Sequence, residues 1–248
     1  MHYLSFLRGV HEVLQPPTYL EIGIRHGDSL ALAGGHSIGV DPAFSIRAEL
    51  DGRVTLRRTT SDEFFAMPDA LAAFAGTPPA LTFIDGMHLF EYVVRDFVNV
   101  ERASQWCSAV VFDDVYPRTV DEAARDRHTR VWAGDLYKVP ALLRAERPDL
   151  VCLTIDTEPT GLLLVLGLDP ASEVLASRYE TLVDRWLTPD PQPVPGDVLA
   201  RAGAVAPEDV IAAPFWAVLR EARAAGTPRD EGLAALRRSL DASFAASV

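Results

Sequence analysis

Four short apolar runs, one running into a glycine turn and three ending on or beside a carboxylate, most constrain what this chain can become. They are Thr18-Tyr19-Leu20-Glu21-Ile22-Gly23, His36-Ser37-Ile38-Gly39-Val40-Asp41, Leu81-Thr82-Phe83-Ile84-Asp85-Gly86 and Ala109-Val110-Val111-Phe112-Asp113-Asp114. Near-continuous apolar runs of this length read as strands buried on both faces, the signature of a parallel sheet. Arg53 to Arg58 adds one more strand, third in chain order. Helical stretches lie between them. Leu4 to Leu14 is closed by Pro16-Pro17, and a second stretch covers about Asp28 to Ala33. Ser61 opens a third as its N-cap, with Asp62 and Glu63 in the first turn. Phe90, Val93, Val94, Phe97 and Val100 recur at helical spacing in a fourth. Strands that alternate with helices predict an α/β fold.

The last two strands break the pattern. Leu150 to Ile155 and Leu162 to Leu168 are joined by only Asp156 to Gly161. A parallel pair needs a crossover of a dozen or more residues, so this pair must be an antiparallel hairpin. The expected sheet is therefore Rossmann-like and parallel, closed by an antiparallel terminal strand. Residues 1–170 form that domain, and residues 171–248 form a helical C-terminal extension that acts as a cap or a dimerisation element. A stiff linker, Thr188 to Gly196 with four prolines, leads into two helices, about Pro207 to Ala224 and Asp230 to Ala245. The second of these is expected to bury Leu233, Leu236, Leu240 and Phe244 on one face.

Composition removes several function classes. Among 248 residues, 23 Lys+Arg face 35 Asp+Glu, a net charge of −12. That excludes nucleic acid or an anionic membrane as the main partner. No run of 18 apolar residues exists, and the N-terminus lacks the basic flank and cleavage site of a signal peptide. Cys107 and Cys152 sit inside apolar runs and lack metal-site spacing, so a reduced, cytoplasmic protein is expected. Lys138 is the only lysine.

Two constellations carry chemistry. In Glu21-Ile22-Gly23-Ile24-Arg25-His26-Gly27-Asp28-Ser29 a strand delivers a glycine turn onto a helix start, where the backbone can approach an anionic ligand. Asp41, at the end of the next strand, is placed to accept the two hydroxyls of a ribose. The bland alternative is a helix-capping turn beside a solvated aspartate. The second constellation is Asp85, His88, Asp113 and Asp114, at the carboxyl ends of two strands. Clustered carboxylates repel unless a cation compensates them, and oxygen ligands without cysteine suit Mg²⁺, Mn²⁺ or Ca²⁺. Helix caps and a solvated aspartate are the alternative here. His88 stands three residues beyond Asp85 and is a candidate general base. His2, His11, His26, His36 and His128 read as packing or solvated residues. Trp132 to Lys138, with Tyr116 and Arg118, either line an acceptor pocket or fill the core.

Glu21 to Ser29, Asp41-Pro42, Ile84-Asp85-Gly86-Met87-His88 and Phe112-Asp113-Asp114 resemble the class I S-adenosylmethionine (SAM) methyltransferases. The nearest resemblance is to the metal-dependent macrocin and mycinamicin sugar O-methyltransferase group, over roughly residues 15 to 168. The resemblance implies that Gly23, Gly27 and Ser29 contact the methionine part of SAM, with Glu21 near its amino group. It implies Asp41 on the ribose, and Ser61 and Asp62 near the adenine. Asp85, Asp113 and Asp114 would bind Mg²⁺ or Mn²⁺, with Asp85 also beside SAM, and His88 would match the base. The implied activity is Mg-dependent O-methylation of a small hydroxylated acceptor, such as a sugar, nucleoside, polyol or catechol-like molecule. The implied setting is secondary metabolism such as antibiotic biosynthesis. The tail after Pro170 has no counterpart in that group, and a homo-oligomer is expected.

Two other readings remain open. One is a non-catalytic SAM-binding or interaction protein. The other is a nicotinamide-dependent oxidoreductase, against which the terminal hairpin weighs. A short-chain dehydrogenase would also need Tyr-x-x-x-Lys, and the residue four before Lys138 is Gly134.

Overall fold

The apolar runs form the strands expected of them. In the computed structural model, which describes residues 1–244, five parallel strands run β1 (Thr18–Ile22), β2 (His36–Val40), β3 (Arg53–Arg57), β4 (Leu81–Ile84) and β5 (Ala109–Phe112). Strands β6 (Val151–Ile155) and β7 (Leu162–Leu166) complete a seven-stranded sheet ordered β3-β2-β1-β4-β5-β7-β6. The six-residue link does make β6 and β7 antiparallel, and β7 inserts antiparallel beside β5. Strands β1, β4, β5 and β7 are buried along their whole length, which explains their unbroken apolar sequence.

The helices are α1 (Tyr3–Leu14), α2 (Ser61–Ala66), α3 (Phe90–Ala103), α4 (Val139–Glu146), α5 (Tyr179–Trp186), α6 (Gly196–Leu199), α7 (Pro207–Ala212), α8 (Phe215–Ala225) and α9 (Arg229–Phe244). Side chains alternate across each strand, so the sheet carries a core on each face. Tyr19, Phe83, Val111 and Leu164 face one way and pack with Phe6 and Val10 of α1, Trp216 of α8 and Leu236 of α9. Leu20, Ile84, Phe112 and Leu163 face the other way and pack with Phe90 and Phe97 of α3, Leu142 of α4 and Leu182 of α5. The tail helices thus lie on the sheet beside α1. Arg220 and Arg223 of α8 donate to the carbonyls of Val13 and Leu14, each across 2.9 Å, and so satisfy the open end of α1.

Three local expectations are corrected. The stretch Asp28 to Ala33 closes only a single 3₁₀ turn, Leu30–Leu32. Gly34-Gly35 follows at once, and Gly35 lies so close to the Pro17 carbonyl that a Cβ would come within 2.6 Å of it. A helix nucleus has no room to repay its cost there. The N-cap of α2 is Thr60 rather than Ser61: Thr60 and Glu63 form a reciprocal capping box. The stretch Pro207 to Ala224 is two helices, because Pro214 bars the backbone continuation from α7. In α9, Leu236, Leu240 and Phe244 are buried and Leu233 half-buried; position 245 of the expected helix lies outside the described residues. No described helix is long and apolar enough to cross a membrane.

Candidate active site

Strand order reverses between β1 and β4, so their carboxyl ends border the crevice where open α/β sheets bind ligands. Gly23 leaves β1 at φ +87, and a Cβ there would stand 2.0 Å from the Asp85 carbonyl oxygen. Only glycine lets the turn after β1 press against the end of β4. The glycine turn and the first aspartate of the acidic cluster are therefore in direct backbone contact.

Glu21 is fully buried beneath that turn. Tyr19 donates its hydroxyl to Oε2 (2.7 Å) and Ser29 donates to Oε1 (2.5 Å). Burial pushes the Glu21 carboxyl up to about 8, against the pull of those two hydrogen bonds. Asp41, at the end of β2, braces the glycine turn. Its Oδ2 accepts the N–H groups of Ile24 (3.1 Å) and Arg25 (2.9 Å), and Oδ1 accepts that of Ala43 (2.6 Å). A carboxylate offers about four acceptor positions. Asp41 spends three of them fixing the glycine turn, where Arg25 itself holds a left-handed backbone at φ 43. Ser29 serves Glu21, and Gly27 adopts φ +85 against Ile46. Asp62 is gripped by Arg95 through two bonds of 2.8 and 2.5 Å. Its neighbour Ser61 starts α2 and lies near buried Asp96 of α3, a residue the sequence did not single out. Burial pushes the Asp96 carboxyl up to about 7.

His88 sits between two aspartates. Its Nε2 lies 3.2 Å from Oδ1 of Asp85 and its Nδ1 lies 2.8 Å from Oδ2 of Asp114. Nδ1 also lies 2.7 Å from the Trp132 carbonyl, which can only accept, so Nδ1 carries a proton. The Trp132 indole stacks on the imidazole with ring centroids 5.3 Å apart and planes 11° apart. Burial pulls the His88 pKa down, but the hydrogen bonds and charges of Asp114 and Asp85 outweigh it and hold the ring protonated well above the usual range. Asp114 takes its place through a left-handed backbone, φ 61.

Asp85, His88 and Asp114 each offer a ligand atom, all within 4.8 Å of one another. Asp113 is not in that group of three; its Oδ1 accepts the N–H of Asp114 (2.8 Å). Burial, then the charges of Asp114 and Asp85, raise Asp113 well above the carboxylate range. Two carboxylates and an imidazole without a thiol fit a hard or borderline divalent cation.

The remaining candidates are tied into the scaffold. Arg118 pairs with Glu122, Tyr137 donates to Gln192 (3.3 Å), and Lys138 donates to Asp135 and Thr188, each across 2.9 Å. His2 caps α1, His26 meets the Ser45 carbonyl and His36 that of Ala73, as packing residues would. Sequence reasoning missed Arg125 and took Asp135 only as part of the 132–138 loop, because their partners on α3, Phe90 and Glu91, lie 45 and 34 residues away.

No protein-family model and no curated protein sequence matches the chain. Solved structures match its fold. The cofactor-bound Rv0187 from MTB is 21% identical with a TM-score of 0.50, over 66% of this chain and 79% of that one. The O-methyltransferase TomG from Streptomyces achromogenes, involved in tomaymycin synthesis and crystallised with SAM, is 16% identical with a TM-score of 0.47, over 67% of this chain and 80% of that one. At such identities the likeness is one of fold. A seven-stranded sheet ordered 3-2-1-4-5-7-6 with strand 7 antiparallel and helices on both faces is the class I methyltransferase fold, and that is the fold of this chain.

Proposed function

We propose that this chain is a SAM-dependent O-methyltransferase that acts on a hydroxyl of a small molecule with the help of a divalent cation. The observation that carries this reading is the contact of Gly23 with Asp85, which sets a glycine turn directly beside the Asp85–His88–Asp114 group. A buried acid with no ion-pair partner among the described residues, Glu21, fits the ammonium end of a methionine moiety. A plain dinucleotide sheet lacks the antiparallel β7, which speaks against a nicotinamide enzyme.

In this reading SAM supplies an activated methyl group. The acceptor hydroxyl would give up its proton and its oxygen would take that methyl group, with the demethylated cofactor as the leaving group. His88 takes the proton at Nε2, the nitrogen that faces Asp85, while Nδ1–H stays on the Trp132 carbonyl. Neutral Nε2 is disfavoured beside a bare Asp85 carboxylate. Asp85 and Asp114 would hold a divalent cation, which would supply Lewis acidity and offset the charge that otherwise keeps His88 protonated. The stacked Trp132 keeps the ring from turning.

Thermal unfolding with SAM or its demethylated product, each with Mg²⁺ or with EDTA, tests the proposal. A ligand at about 100 times its dissociation constant adds about 2.7 kcal/mol. We expect the midpoint to rise by roughly 5–10 °C with either ligand, to rise further with Mg²⁺, and not to move with NAD. No shift at millimolar SAM would sink the cofactor assignment.

A further inference from the structure

We infer that Asp135 is a positioning residue for His88. No α-helix or strand spans residues 113–135, yet this stretch forms the wall against which the imidazole rests. Trp132 stacks on the ring and accepts from Nδ1. Two residues on, Gly134 at φ +60 runs so close to the chain at His88 that a Cβ would stand 1.6 Å from the His88 carbonyl oxygen. Such a wall needs an anchor, and Asp135 supplies it.

Asp135 is completely buried and makes three bonds. Oδ1 accepts the N–H of Phe90 (2.8 Å), the first residue of α3. Oδ2 accepts from Arg125 (2.8 Å) and Lys138 (2.9 Å). The N-cap residue of α3, Leu89, has no capping side chain, so Asp135 caps that helix from 45 residues away. Arg125 also forks onto Glu91 of α3 with bonds of 2.7 and 3.0 Å. Two anions thus face two cations, which is what keeps so buried a group tolerable. The consequence is geometric. Asp135 holds the chain two residues after His88 and, three residues after Trp132, holds the wall as well. The ring and its support are pinned to one carboxylate.

The inference rests on the proposed role of His88, but its test does not require turnover. A hydrogen-bonded imidazole Nδ1–H exchanges slowly and gives a far-downfield proton resonance, assigned here by its absence in His88→Gln. The wild type is expected to show it. Asp135→Asn keeps an acceptor for Phe90 but leaves Lys138 without its carboxylate and Arg125 with Glu91 alone, and is expected to lose the signal while S-adenosylhomocysteine affinity stays within about twofold. Arg125→Lys keeps the charge and loses the fork, and is expected to lose the signal too; it carries the test if Asp135→Asn does not fold. A resonance unchanged in the folded variants, or missing from the wild type, overturns the inference. Loss of the signal together with an equal loss of S-adenosylhomocysteine binding also overturns it, since that marks general damage. A signal lost as expected while His88→Ala still transfers methyl groups at the normal rate sinks the base assignment alone.

Discussion

The Tyr19 phenol donates to the Glu21 carboxyl across 2.7 Å, in complete burial, and no cation meets that carboxyl among the described residues. Ser29 supplies the other oxygen's partner. Two hydroxyl donors satisfy the shape of the acid without neutralising it. Burial therefore decides its protonation and favours the neutral acid.

Glu21 should make stability fall with rising pH. Its folded value of about 8 lies above the unfolded value of 4.5, so the folded state binds the extra proton. The contribution is fully present below about 4.5, is lost as pH rises through about 8, and is flat beyond. Glu21→Gln removes this slope. Denaturant unfolding at pH 5 and pH 9 should show wild type losing stability relative to the variant between those values, and parallel curves would refute the assignment.

His11 works in the opposite direction. It lies buried in α1, edge-on to Tyr19, with neither ring nitrogen paired. Burial lowers its pKa from 6.5 to about 4. Its contribution is present above about 6.5 and is lost as pH falls toward 4. His11→Phe leaves no bond unmade and removes two orphan polar atoms, each costing about 1–3 kcal/mol. The variant should melt higher than wild type, by a margin that widens from pH 7 to pH 5.

Glycines 134 and 226 both adopt left-handed backbone, at φ +60 and φ +65, but only one is crowded. At Gly226 nothing lies within 4 Å of an added Cβ, and Gly226→Ala should cost about 1–2 kcal/mol for backbone strain alone. At Gly134 the Cβ meets the His88 carbonyl, and backbone cannot step aside as a side chain can. Gly134→Ala should lower the melting midpoint markedly more than Gly226→Ala and abolish Mn²⁺ binding, which Gly226→Ala should leave intact.

His88→Ala should reduce methyl transfer on the order of 10²–10⁴-fold with SAM affinity little changed. Isothermal titration separates the two quantities. A normal rate, or an equal fall in SAM affinity, would count against the base.

The sheet was legible because its evidence is local. Six residues between Ile155 and Leu162 cannot carry a parallel crossover, and an unbroken run such as Val110 to Phe112 has no solvated face. Asp85 and Asp114 were legible for a related reason, since strand ends in this fold converge on one edge. The partners that redefine a residue were not. The backbone groups of Ile24 and Arg25 that Asp41 holds, and the pairing of Asp62 with Arg95 from 33 residues away, have no local sequence signal. Asp135 carries no local motif at all, because its meaning lies in Phe90 and Arg125. The short turn at Leu30–Leu32 was misread as a helix since propensity cannot see Gly35 pressed on Pro17.

The bond from Arg220 to the Val13 carbonyl joins residues 207 positions apart. At synthesis rates of about 5–20 residues per second, α1 leaves the ribosome roughly 10–40 seconds before the helix that covers it exists. Through that interval Phe6, Leu7 and Val10, all completely buried in the finished molecule, have no native partner from the tail. Until α8 is made, this stripe has only its sheet partners, such as Tyr19 and Phe83, to lie against, so its outer cover is added late.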